Sequence, residues 1–293
     1  MEIIPPIKLT PQEFFSKENY AWIESLVPHE GQEFVPISDD EDFVGFCTEL
    51  AVRILAGESH EFEQMLEQYE GSVHKYRNYP EFARLMKLGL EFGVADGSGA
   101  CANYLGAAYY MGGFVEQDYA SAKELYEIAE SKGVIQAMIN LGYIYEYGRV
   151  GEPDHEKAYR QYAKAAALSG ACEPLYKLGD MYSRGTVDGQ DYNIAFYLYE
   201  RSLDAAGDDV VMAAQPAIRL AKMLIDDEMT ERDLPYEPMR ALALFQMAER
   251  GLRIDISRGQ TFYEKRLQEA LEGQEKARKL VDALLNDDFP AFD

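Results

Sequence analysis

Apolar residues recur along this chain at helical spacing, and through its middle third one pattern comes back three times. Leu141 and Tyr145 stand four residues apart, which stacks them on one helix face, and Gly142 beside them leaves room for a neighbouring helix. Leu105, Gly106 and Tyr109 repeat the pattern 36 residues earlier; Leu178, Gly179 and Tyr182 repeat it 37 residues later. Glycine inside a helix costs roughly 1 kcal/mol relative to alanine, so three at matching places predict close helix approach. Gly112, Gly148 and Gly185 fall where a left-handed residue would end each helix. Asp118, Asp154 and Asp191 precede Ala122, Ala158 and Ala195 by four residues, placed to accept the free N–H groups of a second helix. On that helix Ala158, Tyr162 and Ala165 form a narrow stripe with one large ring between two small residues, repeated as Ala122, Tyr126, Ala129 and as Ala195, Tyr199, Ser202. Each copy is thus a helix pair, and self-similarity at this period predicts an all-α solenoid.

Outside the three copies the pattern is looser. Residues 1 to 9 hold two prolines and predict no element, whereas Thr10-Pro11-Gln12-Glu13 reads as a capping box opening a short helix to about Val27. That helix carries Phe14, Phe15, Tyr20, Trp22 and Ile23, enough apolar bulk to dock on the first repeat. After a Pro-, Gly- and acid-rich loop, Ser38-Asp39-Asp40-Glu41 starts a helix with Phe43, Phe46, Cys47, Leu50, Ala51 and Ile54 on one face, closed by Gly57. Ser59 can cap a helix carrying Phe62, Met65, Leu66, Tyr69, Val73 and Tyr76, and Pro80 opens another that runs to Gly93. Residues 59–97 together read as a diverged first repeat. A fourth copy begins at Pro216 with Ala221 in place of the helix glycine, and regains the stripe at Ala241, Phe245 and Ala248 after a long charged loop. Ser257 to Leu285 reads as one long helix with Gly273 as a candidate bend. Its seam of Tyr263, Leu267, Ala270, Gln274, Ala277, Val281 and Leu284 suits a terminal cap, with dimerisation as the alternative. The implied organisation is an extension over residues 1–58, repeats over 59–253 and a capping helix with tail over 254–293.

The sequence Leu-Gly-x2-Tyr-x2-Gly, an extended loop, then Asp-x3-Ala-x3-Tyr-x2-Ala resembles the Sel-one-like repeats, relatives of the tetratricopeptide repeats. The resemblance is clear over about residues 100–207 and extends in degenerate form over 212–251. It implies an α/α superhelical solenoid that binds other proteins, without catalytic machinery or cofactor.

Composition narrows the partners. Among 293 residues, 28 Lys and Arg face 52 Asp and Glu, a formal charge of −24. Nucleic acid is a poor partner, because phosphate binding needs clustered cations to release counterions. The acidic surface keeps the molecule soluble or attracts basic partners. Three widely spaced cysteines, Cys47, Cys101 and Cys172, fit neither a disulfide framework nor a metal motif. The start of the chain lacks a basic segment followed by an apolar run, and no later stretch is long enough to span a bilayer, so the cytoplasm is the expected location and the membrane is not an expected partner. A monomer or weak dimer is expected.

Candidate chemistry is sparse. His155-Glu156-Lys157-Ala158-Tyr159 begins like a zinc-protease helix but has tyrosine where the second histidine belongs. Gly97-Ser98-Gly99 lacks the strand and the third glycine of a dinucleotide loop. No nucleophile, base and orienting group come together, so an enzyme is not expected. The positive expectation is a concave groove lined by the first helix of each repeat. Its candidate contacts are Asn103 and Tyr110; Tyr143, Glu146 and Tyr147; Tyr176, Asp180 and Arg184; and Lys222, with Met111, Ile139, Ile218 and Ile225 at neighbouring outward positions. Tyrosine and arginine are enriched in binding hot spots, although Tyr143 and Tyr176 fit packing against an adjacent helix equally well. The expected function is a scaffold binding a peptide or protein in this groove. The alternative is an acidic inhibitor or immunity-type protein that neutralises a basic toxin or enzyme.

Overall fold

A computed structural model describes residues 9–57, 62, 64, 79–230 and 232–288. Its described residues form fourteen α-helices and one 3-10 turn, with no strand, in two compact units, Met1–Pro153 and Asp154–Asp293.

The first unit opens with α1 (Pro11–Phe14) and α2 (Lys17–Ser25) where one helix was expected. Ser16 is the reason: its hydroxyl accepts the N–H of Asn19 and starts a new helix, while Phe15 is extended. The break swings Phe14 and Phe15 onto Phe92, with ring centres 5.5 and 5.7 Å apart. In α3 (Glu41–Ala56), Asp40 caps the N–H of Phe43 and Gly57 closes the helix at φ 69°, as the sequence predicts. The helix expected from Ser59 lies largely outside the described residues, but Phe62 is buried beside Gly89 of α4 (Pro80–Ala95), where a Cβ would stand 2.6 Å from its ring.

The first clear repeat is α5 (Gly99–Met111) with α6 (Tyr119–Ser131). Asp118 accepts N–H bonds from Ala120 and Ser121, and Gly112 takes the left-handed conformation at φ 68°. The role of the helix glycine is visible here: a Cβ on Gly106 would lie 2.8 Å from the ring of Tyr126, the large member of the second-helix stripe. Ala122, Tyr126 and Ala129 then share one core with Leu141 and Ile144 of α7 (Ile135–Glu146).

The second unit begins with α8 (His155–Ser169), whose first N–H groups are capped by Asp154 through Lys157. The zinc-protease-like segment is the first turn of this helix. Next come α9 (Cys172–Arg184) and α10 (Tyr192–Ala206), capped by Asp191. Gly179 repeats the arrangement of Gly106, since a Cβ there would lie 2.6 Å from the ring of Tyr199. Ser202, which replaces the stripe alanine, is fully buried and donates a 2.8 Å hydrogen bond to the carbonyl of Cys172.

The degenerate fourth copy is α11 (Val210–Met223) with α13 (Pro238–Ser257), linked through the single turn α12 (Asp227–Thr230). Here the close approach has moved to the second helix, where Gly251 meets the carbonyl of Val210. The expected long last helix is divided differently. Residues up to Ser257 belong to α13, a turn with Gly259 at φ 95° and a 3-10 turn (Thr261–Tyr263) follow, and α14 (Glu264–Asp288) runs on without a break. Gly273 is not a bend, because the ring of Phe245 fills the space a side chain there would need. Around that contact Ala270 and Ala277 are buried, and Gln274 donates to Glu249 at 2.7 Å. Lys276 donates to the carbonyl of Ile225 at 3.1 Å, so α14 also closes the chain just past the C-terminus of α11.

Candidate functional site

In the second unit, Tyr176, Asp180 and Arg184 follow one another at four-residue spacing along α9 and share a face. The register predicts them as outward, with packing against an adjacent helix as the equal alternative for Tyr176; Tyr176 and Asp180 are buried, because Arg219 of α11 covers both. Its guanidinium lies 4.7 Å from the centre of the Tyr176 ring and grips Asp180 with two bonds, Nε to Oδ1 at 2.5 Å and Nη2 to Oδ2 at 2.8 Å. Tyr199 donates to the same carboxylate at 2.9 Å and Arg184 at 3.0 Å. Burial alone would raise the carboxyl pKa, but the charge and hydrogen bonds of Arg219 outweigh it and hold Asp180 below the usual carboxylate range. In Arg219 burial opposes the charge, and Asp180 restores it above the ordinary arginine value. This buried pair fixes α9 against α11.

Around the pair opens a pocket of about 360 Å³ lined by Ser183, Arg184, Tyr192, Arg219, Lys222, Asp226, Glu228, Met229 and Arg266. Arg184 and Lys222 are each 50 % exposed and Arg266 39 %. Lys222 and Arg266 converge on Glu269 of α14, at 2.7 and 2.9 Å. Three partly solvated cations, Arg184, Lys222 and Arg266, and two acids, Asp226 and Glu228, therefore line one concavity.

The first unit has a different cluster. Asn103 of α5 accepts from Asn140 of α7 at 3.1 Å. The rings of Tyr143 and Tyr147 stack at 5.9 Å, and Tyr147 is 49 % exposed. Tyr110 meets Tyr119 edge-on at 5.1 Å. Arg149 lies among three of these rings, with its guanidinium carbon 5.7, 5.2 and 5.4 Å from the centres of Tyr110, Tyr119 and Tyr147, and its Nε donates to the Tyr110 hydroxyl at 3.2 Å. Glu146, predicted outward, is buried.

Ile139, Ile218 and Ile225 are also core residues rather than groove positions, whereas Met111 is well exposed. The correction has one cause. A first helix has neighbours on both sides along a solenoid, so positions flanking its packing stripe are covered as well. Of the predicted contacts, Arg184 and Lys222 meet at the second-unit pocket, with Asp180 in its lining. Tyr110, Tyr143 and Tyr147 gather in the first unit, and Asn103 sits in a polar pair nearby. The sequence reading missed Arg149, Arg219 and Arg266. Arg149 follows the glycine that ends the motif and aligns with Gly113 and Thr186 in the other copies, so repeat logic ignores it. A signal for Arg219 existed: it stands about one repeat after Asp180 with opposite charge.

The cysteines are buried free thiols, and burial, with a smaller effect from Glu81, pushes that of Cys47 up to about 12. Among the described residues no cluster of His, Cys, Asp and Glu could hold a metal, and no helix is long and apolar enough to cross a membrane.

Comparison with known proteins agrees with the repeat register. The Sel1 repeat family matches residues 99–134, 135–169 and 175–206. Two Arabidopsis thaliana proteins described as ERAD-associated E3 ubiquitin-protein ligase components, HRD3B and HRD3A, are each 41 % identical, over 70 and 76 residues. Those stretches are 24 % and 26 % of this chain but only 12 % and 11 % of the relatives. Among solved structures, a protective antigen of uropathogenic Escherichia coli with an SLR fold aligns over 89 % of this chain and 53 % of its own, at TM-score 0.53 and 20 % identity. A Sel1 repeat protein from Oxalobacter formigenes aligns over 79 % and 98 %, at 0.51 and 19 %. These structures share the all-helical SLR fold with this chain.

Proposed function

Taking this chain as one that carries three Sel1 repeats on an SLR-type helical fold, we propose that it is a protein-interaction scaffold that binds a peptide or protein partner through its first-helix surfaces. Sel1-repeat scaffolds are generally non-catalytic, and the partial likeness to HRD3 components of a ligase assembly supports a role in holding proteins rather than transforming them. The observation that carries the reading is the second-unit pocket. The buried pair of Asp180 and Arg219 forms part of its lining, beside Arg184, Lys222 and Arg266, which are 50, 50 and 39 % exposed. A buried ion pair beside solvated cations limits the ordering cost of binding.

The test is capture of native partners by the intact chain and by an Arg184→Ala/Lys222→Ala variant, at low and moderate salt. The expected result is a partner held by the wild type and lost by the variant. Equal capture by both would move the binding surface elsewhere. The net charge of −24 supports a second reading, an acidic protein that neutralises a basic toxin or enzyme. That reading predicts a basic partner released by salt, since long-range attraction between exposed charges is screened over about 10 Å at 0.1 M.

A further inference from the structure

Arg149 stands out from the other functional candidates. Its backbone is pinned: the N–H donates to the carbonyl of Ile144 at 3.0 Å, across Gly148, which turns the chain at φ 57°. Gly148 has no room for a side chain, since a Cβ would meet Pro153 at 2.7 Å and the carbonyl of Gly151 at 2.9 Å. Its side chain is pinned as well, by three tyrosine rings and one hydroxyl. Yet the residue is exposed, and no carboxylate within the described structure pairs with it. In a chain where acids outnumber bases by 52 to 28, an arginine held by tyrosine rings and one hydroxyl, and by no acid, is a placed positive charge.

The chemistry of guanidinium decides what such a placement can do. Nε is engaged by Tyr110, while the four N–H groups on Nη1 and Nη2 make no hydrogen bond with the described residues. These form the planar fork that matches a carboxylate with two parallel bonds. The three rings and the Tyr110 hydroxyl restrict where the side chain lies, so a ligand orders less of it on binding. Met111, 62 % exposed, and the Tyr143–Tyr147 stack offer apolar area on the same pair of helices.

We propose that the Arg149 fork, cradled by Tyr110, Tyr119 and Tyr147, is a recognition site for one carboxylate of a partner protein. The carboxylate is that of an Asp or Glu side chain or of the partner's C-terminus. This rests on the interaction reading above and adds the partner's chemistry.

An array of short peptides, with acidic and amide residues exchanged and the C-terminus free or amidated, tests the inference on the full-length chain. The wild type is expected to retain a subset that loses roughly tenfold or more in affinity when its key Glu or Asp becomes Gln or Asn, or when its terminus is amidated. These two substitutions tell the carboxylate sources apart. Arg149→Lys keeps the charge and removes the fork. It should show the same loss for the parent peptide and no further loss for the amide version. Tyr110→Phe keeps the ring and frees Nε, and should fall between. Melting curves within a few degrees of wild type show that each variant is folded.

Acidic peptides bound equally by wild type and Arg149→Lys, or amide peptides bound as well as acidic ones, would overturn the inference. If binding instead depends on Arg184 and Lys222 but not on Arg149, the inference fails and the proposed function stands. If no peptide of any composition is retained, the result counts against both.

Discussion

Each unit of the molecule sets an arginine against tyrosine rings, and the two settings are opposite. Arg219 is buried over Tyr176 and has its fork filled by Asp180, with Gln215 taking what remains. Arg149 is exposed among Tyr110, Tyr119 and Tyr147 and has an open fork. Removing a charge from water costs so much that a buried arginine needs an acid, whereas aromatic faces suffice for one that keeps its hydration. The same residue types therefore make a structural clamp in one place and a presented donor in the other. The difference lies in burial and not in the rings.

The comparison breaks most visibly at Asp180. Asp180→Asn leaves Arg219 buried without its counter-charge and should cost about 3–5 kcal/mol, read as a large fall in melting temperature. Asp180→Leu with Arg219→Met removes both charges at similar volume, and should recover most of that loss. The carboxylate also sets a pH dependence. Its folded pKa is depressed, so the stabilisation is complete above the unfolded value of about 4 and is lost as pH falls through the folded one. The gap in stability between wild type and Asp180→Asn should narrow below about pH 4 and stay constant above pH 5.

A middle-sized effect is expected at Gly179, where a new methyl group would press on the ring of the buried Tyr199. Gly179→Ala should destabilise by roughly 1–2 kcal/mol, because overpacking outweighs the gain in helix propensity. Urea titration would register it as a lower midpoint. The smallest effect belongs to Arg149→Gln, which should change stability by less than about 0.5 kcal/mol. A loss near that of Asp180→Asn would make Arg149 a structural residue too and erase the contrast.

What could be read from the sequence follows from what repeats. Gly106 and Gly179, the caps Asp118, Asp154 and Asp191, and the turns at Gly112, Gly148 and Gly185 serve local or nearest-neighbour geometry, so each copy announces them again. The clamp between Asp180 and Arg219 joins two copies and occurs once, so its trace is limited to opposite charges about one repeat apart. Asp180 read as outward, and Tyr176 as outward or packed, because helical register shows which side of a helix faces its own partner, but not what the next helix covers. Ser16 split the first helix because a single hydroxyl outcompeted an apolar pattern that ran through it. Gly273 looked like a weak point but is a contact, since only the ring of Phe245 explains the missing side chain.

The most direct measurement is hydrogen–deuterium exchange of the intact chain, free and saturated with the partner that it captures. The account predicts slowed exchange at the ends of the first helices: residues 143–150 in one unit, and residues 180–192 with 222–229 in the other. Protection confined to the outer turns of the second helices, around Ile194 to Arg201, with those segments unchanged, would contradict it.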